Sequence, residues 1–261
     1  MDTQQNALSV PVAIVVAGLL IAAALFFALR GSSAPTNNQA AAPTQPAAVG
    51  MSLRPVSPTE HIRGNPNASL VLVEYSDLEC PFCKTFHTTM RELMDAYGKN
   101  GTLAWVYRHF PLDRIHSKAR KEAEAAECAA DIGGNTAFWN FIDRLFEITP
   151  ANNGLDLAEL PNIAASAKVN GAAFSECLSS GKFAQKVEDD YQSGTAAGAS
   201  GTPFNILVMR EKLSSADEAA LSPLIAQSQG GLTLTRDKTS LIINGAYPLS
   251  ALKQIIEIVK K

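Results

Sequence analysis

The sequence predicts an α/β domain with an inserted helical block, set behind an apolar N-terminal segment and a tether. Short runs rich in Val, Leu and Ile alternate with longer segments whose apolar residues recur three and four apart, the pattern of mixed strands and helices. From about 112 to 198 the helical pattern continues without a strand. Charge is unevenly spread: of 22 Lys+Arg and 25 Asp+Glu, only Asp2 and Arg30 fall among the first 53 of 261 positions. The net charge of −3 lacks the basic excess that a phosphate-binding face needs, so no nucleic-acid partner is expected. At 46% apolar residues there is material for a core, which excludes a disordered chain. Four cysteines are too few for a scaffold built from disulfides.

Positions 1–6 form a short polar tail. Ala7 to Leu29 is a 23-residue run without a charge. As a helix it extends roughly 34 Å, enough to cross a hydrocarbon core of about 30 Å. Pro11 lies near its start, where a helix tolerates it best. A cleaved signal peptide has a shorter apolar region behind a basic stretch, and MDTQQN carries neither Lys nor Arg, so 7–30 reads as a transmembrane anchor. Taken alone, Arg30 would leave the following chain in the cytoplasm by the positive-inside rule. One arginine weighs less than the cysteine argument given below. Gly31 to Ser57 holds four prolines among small polar residues. It reads as a tether whose 27 residues span roughly 30 Å as a coil. The remainder, 58–261, is the folded domain, and no internal repeat is seen.

Within the domain, Ser69 to Ser76 is short, rich in Val and Leu, and suits a buried strand. The segment opening at CPFC and running to about Gly98 places Phe82, Phe86, Met90, Leu93 and Met94 at helical spacing. Thr102 to Phe110 reads as a second strand, stopped by Pro111. The helical block follows: Lys118 to Asp131, Ala137 to Ile148 with Phe138, Phe141, Ile142 and Leu145 on one stripe, then Leu155 to Val169, Ala172 to Leu178 and Phe183 to Ala197. Gly201-Thr202-Pro203 precedes the strand FNILVM. Ser214 to Gln229 is a helix interrupted by Pro223, LTLTR an added strand, Thr239 to Ile243 a further strand, and Pro248 to Val259 the closing helix. The stretch 210–238 is thus an elaborated hairpin without an evident role.

Cys80-Pro81-Phe82-Cys83 sits where a strand hands over to a helix. Pro81 suits the first helical turn, since it lacks an N–H that would have no partner there. Cys80 then meets the unpaired amides and dipole of the helix start, which stabilise a thiolate and lower its pKa below the free value of ~8.5. Cys83, one turn on, faces inward and can bond to Cys80. The division of labour is that Cys80 is the nucleophile and Cys83 resolves the mixed disulfide. Three plainer readings compete. A zinc site would need a second ligand pair, yet Cys128 and Cys177 stand alone and no histidine has paired spacing, so no metal is expected. A structural C-x-x-C disulfide would constrain little chain. Two unrelated core thiols are the third.

VEYSDLECPFC, the YRHFPL stretch, the AAECA and FWNFIDRLF helices, GTP before a strand and the late NGAYPLSALKQII resemble the DsbA-like thiol:disulfide oxidoreductases of the thioredoxin superfamily. The resemblance covers roughly Ser57 to the C-terminus. Strand-CPxC-helix with a downstream Gly-Thr-Pro is a specific combination, where C-x-x-C alone would be weak. It implies a thioredoxin fold with a helical insertion over about 112–198 and a redox-active cysteine pair with no other cofactor. Glu74, six residues before Cys80, matches the family's buried acid, which could accept the Cys83 proton as a general base; the alternative is a strand glutamate facing solvent. Pro203 matches the family's cis-proline, whose loop lies against the cysteines and would leave the Thr202 backbone free to pair with an extended substrate. A trans proline opening a strand is the alternative. Phe82 joins Thr202 and Pro203 in the substrate-facing set.

The chain departs from the family pattern in two places. The best-known oxidase has His where Phe82 stands, so a cation-capable donor is lost and the dithiol should be less strongly oxidising. The 210–238 stretch exceeds the hairpin expected there. Relatives often carry a second cysteine pair, which implies a structural disulfide between Cys128 and Cys177; two reduced core thiols or a second redox centre are alternatives. Such a disulfide requires an oxidising compartment, which places the domain on the extracytoplasmic side despite Arg30. His87 reads as a helix-face residue without a catalytic part, and His109 and His116 as loop or cap residues without chemistry.

The function expected is that of a membrane-tethered oxidase donating its Cys80–Cys83 disulfide to reduced secreted or membrane proteins. A quinone-linked membrane partner would reoxidise it. A reductase or isomerase on the same scaffold is the runner-up, and a tethered binding module or chaperone without redox turnover the third reading.

Overall fold

The computed structural model describes residues 52–57 and 59–261. The expected tail, the anchor over 7–30 and the first part of the tether lie outside the described residues. Among the described residues no helix is long and apolar enough to cross a membrane.

In chain order the elements are β1 (His61–Gly64), β2 (Leu70–Ser76), α1 (Pro81–Leu93), β3 (Leu103–His109), α2 (Ala119–Ile148), α3 (Leu160–Ser166), α4 (Gly171–Ser180), α5 (Ala184–Ala196), β4 (Phe204–Met209), α6 (Ser215–Gln227), β5 (Leu232–Leu234), β6 (Ser240–Asn244) and α7 (Leu249–Val259). The strands form one six-stranded sheet in the order β1-β3-β2-β4-β6-β5. β2 and β3 run parallel, and all other pairs are antiparallel. A parallel pair needs a crossover, and α1 supplies it between β2 and β3.

β2 and β3 are central and covered on both faces, which is why their sequences lack alternation. On one face Leu70, Leu72, Trp105 and Tyr107 meet α1, α2 and α7 in the main core. On the other, Val73, Tyr75, Val106 and Phe110 meet Ala197 and Tyr191 at α5. α1 buries Cys83, Phe86, His87, Met90 and Leu93 on one stripe. A wider π-type turn, Met94–Gly98, carries the chain out of this helix.

Several boundaries differ from expectation for physical reasons. The two helices expected over 118–131 and 137–148 are the arms of α2, broken at Gly134, whose φ of 71° belongs to the left-handed region that glycine enters freely. The expected helix 155–169 shortens to a single 3₁₀ turn, Leu157–Glu159, followed by α3. β1 was not anticipated: HIRG has no apolar period, and its strand form comes from pairing with the edge of β3. The 210–238 stretch resolves into α6, opened by a Ser214/Asp217 capping box and containing Pro223, and the edge strand β5 paired to β6. The tether also ends earlier than position 57. Ser52 N–H donates to the Ala196 carbonyl at 3.2 Å, and Arg54 pairs with Asp190 at 2.7 Å and with Glu60 at 3.2 Å. Residues 52–54 are therefore docked on the domain.

Candidate active site

The turn between β2 and α1 presents the cysteines. Asp77 shapes it: Oδ1 accepts the Glu79 N–H at 2.8 Å, Oδ2 accepts the Leu112 N–H at 2.7 Å, and the Asp77 carbonyl accepts the Cys80 N–H at 3.1 Å. Cys80 occupies the N-cap position of α1 with extended backbone, and Pro81 follows at its first turn. Both cysteines are free thiols, Cys80 3% exposed and Cys83 fully buried.

Their environments push the two sulfurs apart. The Cys83 thiol beside it, the Thr202 hydroxyl and the amides of Cys83 and Phe82 favour the Cys80 thiolate against the opposing effect of burial, lowering its pKa to about 6. Burial and the neighbouring Cys80 charge raise Cys83 well above its ordinary value. The Thr202 carbonyl accepts from Cys80 Sγ at 3.5 Å, and the Thr202–Pro203 bond is cis. The loop before β4 thus lies directly on the active-site sulfur. Phe82, 65% exposed, stands outward from the start of α1.

Behind Cys83 the β2–β3 register gathers a buried polar set. Glu74 pairs with Tyr107 across the strands, and Leu72 with Trp105, so Glu74, Ser76, Trp105 and Tyr107 share the face under α1. Glu74 is fully buried; Trp105 Nε1 donates to its Oε2 at 2.9 Å, while Oε1 has no partner among the described residues. Burial raises the Glu74 pKa to about 7, and the Cys80 charge adds to the rise, against the opposing effect of the nearby Ser76 hydroxyl and the Trp105 hydrogen bond. The solvent-facing alternative for Glu74 is therefore not what the fold shows.

Cys128 on α2 and Cys177 on α4 are joined in a disulfide, their Cα atoms 5.9 Å apart. Among the described residues no cluster of His, Cys, Asp and Glu could hold a metal ion.

The histidines are more buried than their sequence setting suggests. His87 is buried, its Nε2 2.7 Å from Asp143 Oδ1. His109 ends β3 and lies in the interior, 3.2 Å from Glu127, which also meets His61 at 3.0 Å. His116 is buried against Asp77, with Nδ1 2.9 Å from Oδ2. His87 is on a face of α1 and His116 in the loop before α2, as expected, whereas His109 is a strand residue; all three are buried, each against an interior carboxylate. Sequence reasoning also missed Asp77, Glu79 and Glu122 around the turn, and Ser76 and Tyr107 behind Cys83. No local signal marks them: successive side chains of an extended segment point to opposite faces, so Glu79 before a buried Cys80 would be expected outward, yet Ser76 to Cys80 are all buried.

A family model described as thioredoxin matches residues 56–226, more than half of the chain and including both cysteines and the cis-proline loop. The chain belongs to the thioredoxin family. Among solved structures, this thioredoxin-family chain resembles Pseudomonas aeruginosa DsbA2, at 22% identity and a TM-score of 0.56 over 78% of this chain and 96% of that one. It also resembles Wolbachia pipientis alpha-DsbA1, at 22% identity and TM-score 0.59 over 78% and 92%, and Bacillus subtilis BdbD, at 23% and 0.54 over 69% and 98%. These likenesses show a DsbA-like thioredoxin fold with a helical insertion. Among curated proteins, the Na(+)/H(+) antiporter NhaA 1 of Mycolicibacterium gilvum is 34% identical over 189 residues, 71% of this chain and 29% of that protein. The antiporter NhaA 1 of Salinispora arenicola is 33% identical over 182 residues, 69% and 26%. The chain thus spans less than a third of the length of these curated relatives.

Proposed function

We propose that the protein is a thiol:disulfide oxidoreductase that works as a dithiol oxidase on reduced secreted or membrane proteins. The observation that carries this is Cys80 at the N-cap of α1 against the cis Thr202–Pro203 loop with Cys83 fully buried behind it, a placement that lowers Cys80 to about 6 and raises Cys83 well above its ordinary value. In the oxidised protein a substrate thiolate attacks Cys80 Sγ, and the Cys80–Cys83 bond breaks. Cys83 leaves with the electron pair and takes up a proton, which Glu74 supplies from its position behind the sulfur. A second substrate thiolate attacks the substrate sulfur of the mixed disulfide, and Cys80 departs as a stable thiolate. Two electrons have then passed from substrate to the cysteine pair, with no further cofactor. Reoxidation runs in reverse, with Glu74 accepting the Cys83 proton.

The exposed Phe82 ring and the Thr202–Pro203 loop flank Cys80 and are the surfaces against which an extended substrate segment lies. The Cys128–Cys177 disulfide supports an oxidising, extracytoplasmic setting. The apolar run over 7–30 supports a single-pass anchor, which would hold the domain near a quinone-linked reoxidising partner in the membrane.

Oxidation of a dithiol peptide and reduction of insulin by the wild type and Cys80→Ala test the reading. The wild type is expected to catalyse peptide oxidation and Cys80→Ala to fall to background. Equal activity of the two would leave only a tethered binding module. A reduction potential as low as about −270 mV would reassign the protein as a reductase.

A further inference from the structure

The loop between β3 and α2 brings a histidine to the active-site turn. Asp77 Oδ2 accepts the Leu112 N–H at 2.7 Å and lies 2.9 Å from His116 Nδ1, so one carboxylate holds both the start of the loop and its imidazole. Asn153 grips the loop from the other side, donating to the Ile115 carbonyl at 2.7 Å and accepting from the Lys118 N–H at 3.3 Å. The Asn152 N–H donates to the Glu79 carbonyl at 2.8 Å, one residue before Cys80. His116 is 3% exposed and fixed in this frame. The same Asp77 shapes the turn that ends in Cys80. Meanwhile the first turn of α1 offers the sulfur no cation. Pro81 and Phe82 are uncharged, and Lys84 Nζ is committed to the Thr149 carbonyl at 2.6 Å.

We propose that His116, oriented by Asp77, is a positioning residue for the thiol chemistry, its imidazolium favouring the Cys80 thiolate. The proposal rests on the oxidoreductase reading above and deepens it. Burial works against a charge on His116, but the Asp77 hydrogen bond and charge, the Asn152 side chain and the Cys80 charge together raise its pKa above the ordinary value. Other charged groups around it are accounted for. Asp77 and Glu79 come from the turn, and Glu122 from α2. Burial and the Glu79 carboxyl raise Glu122 to about 10, so it is neutral near pH 7. In the loop itself, Asp113 is taken by Arg120 at 2.7 Å, Arg114 is exposed, and Lys118 Nζ reaches the Leu155 carbonyl.

Reciprocity supplies a test on the wild-type protein: if the imidazolium favours the thiolate, the thiolate must favour the imidazolium equally. NMR titration of His116 in the reduced and the disulfide form is expected to show a midpoint higher in the reduced form by about one pH unit, a tenfold coupling. Equal midpoints in the two forms overturn the proposal. In parallel, thiolate absorbance of the reduced protein against pH is measured for the wild type, His116→Gln and His116→Arg. His116→Gln is expected to raise the Cys80 midpoint and lower the thiolate fraction about tenfold on the acid side of it. The dithiol becomes less oxidising by about 30 mV. His116→Arg, which keeps the charge, is expected to restore the low midpoint. Gln and Arg variants with the wild-type midpoint would overturn the role of His116 alone. A wild-type midpoint at that of ordinary cysteine would overturn the oxidoreductase reading itself.

Discussion

Glu122 and Glu79 meet in the interior beside the active-site turn, both fully buried and with no hydrogen-bond partner among the described residues for any of their four carboxyl oxygens. Two such carboxyls cannot both ionise, so one proton stays with the pair, and Glu122 is raised to about 10. A raised carboxyl pKa means that the folded protein holds a proton which the unfolded chain releases above its ordinary value of 4.5. The unfolded state is therefore favoured progressively as pH rises from there toward 10. Glu122→Gln keeps the shape and removes the titration. Thermal melts should show wild-type stability falling between pH 5 and 9 and a flatter profile in the variant. Each 1 kcal/mol regained corresponds to about 2–4 °C in a domain of this size. Parallel profiles would mean that the pair does not hold that proton. Glu127 behaves oppositely: burial opposes its charge, but His109 and His61 hold its pKa well below the usual range, so its contribution is full above the ordinary value of 4.5 and is lost progressively as pH falls below it.

At the level of elements, α5 closes the second face of the sheet by an approach that only glycine allows. A Cβ at Gly194 would lie 2.5 Å from Phe110 Cδ2 and 2.9 Å from Tyr75 Cδ1. Both are buried rings, Tyr75 tied to Ser193 at 2.7 Å and Phe110 stacked on Tyr191 at 4.6 Å between centroids, so neither yields cheaply. Gly194→Ala should cost about 1–3 kcal/mol, as overpacking does. Gly171→Ala, at the start of α4 where a Cβ meets nothing within 4 Å, should change stability by less than about 0.5 kcal/mol. Urea denaturation of both checks this; equal midpoints would show that α5 can lift from the sheet without penalty.

Across the whole domain there are two long-range ties, one within the helical insertion and one between the N-terminal segment and the sheet. The Cys128–Cys177 disulfide links α2 to α4 across 49 positions. Closing a loop of that length stabilises by about 4 kcal/mol in the chain-entropy model, so the double Cys→Ser variant should melt roughly 8–16 °C lower. Its Cys80 titration should be unchanged, since the disulfide is not part of the active-site turn. An unaltered melting temperature would show that packing alone carries the insertion. The second tie is ionic: fully buried Arg108 meets Glu60 at 3.0 Å and donates to the Arg54 carbonyl at 3.0 Å, joining Arg54 and Glu60 to β3. A buried charge that loses its partner is costly, so this network holds the segment in one place rather than adding a large net stability.

The sequence by itself determined the α/β class, most of the elements and the placement of Cys80 and Cys83 at a helix start. These are local properties: apolar period, proline position and the spacing of one helical turn. The tertiary structure alone decided β1, the docking of residues 52–54, the joining of α2 across Gly134 and the company around the cysteines. Glu74, Ser76 and Tyr107 share a face only because β2 and β3 pair in one register. Asp77, His116 and Glu122 come together only because a loop and a helix 35 or more positions away fold back on the turn. Local pattern is written in neighbouring residues, whereas the burial that moves a pKa depends on which distant segment arrives to exclude water.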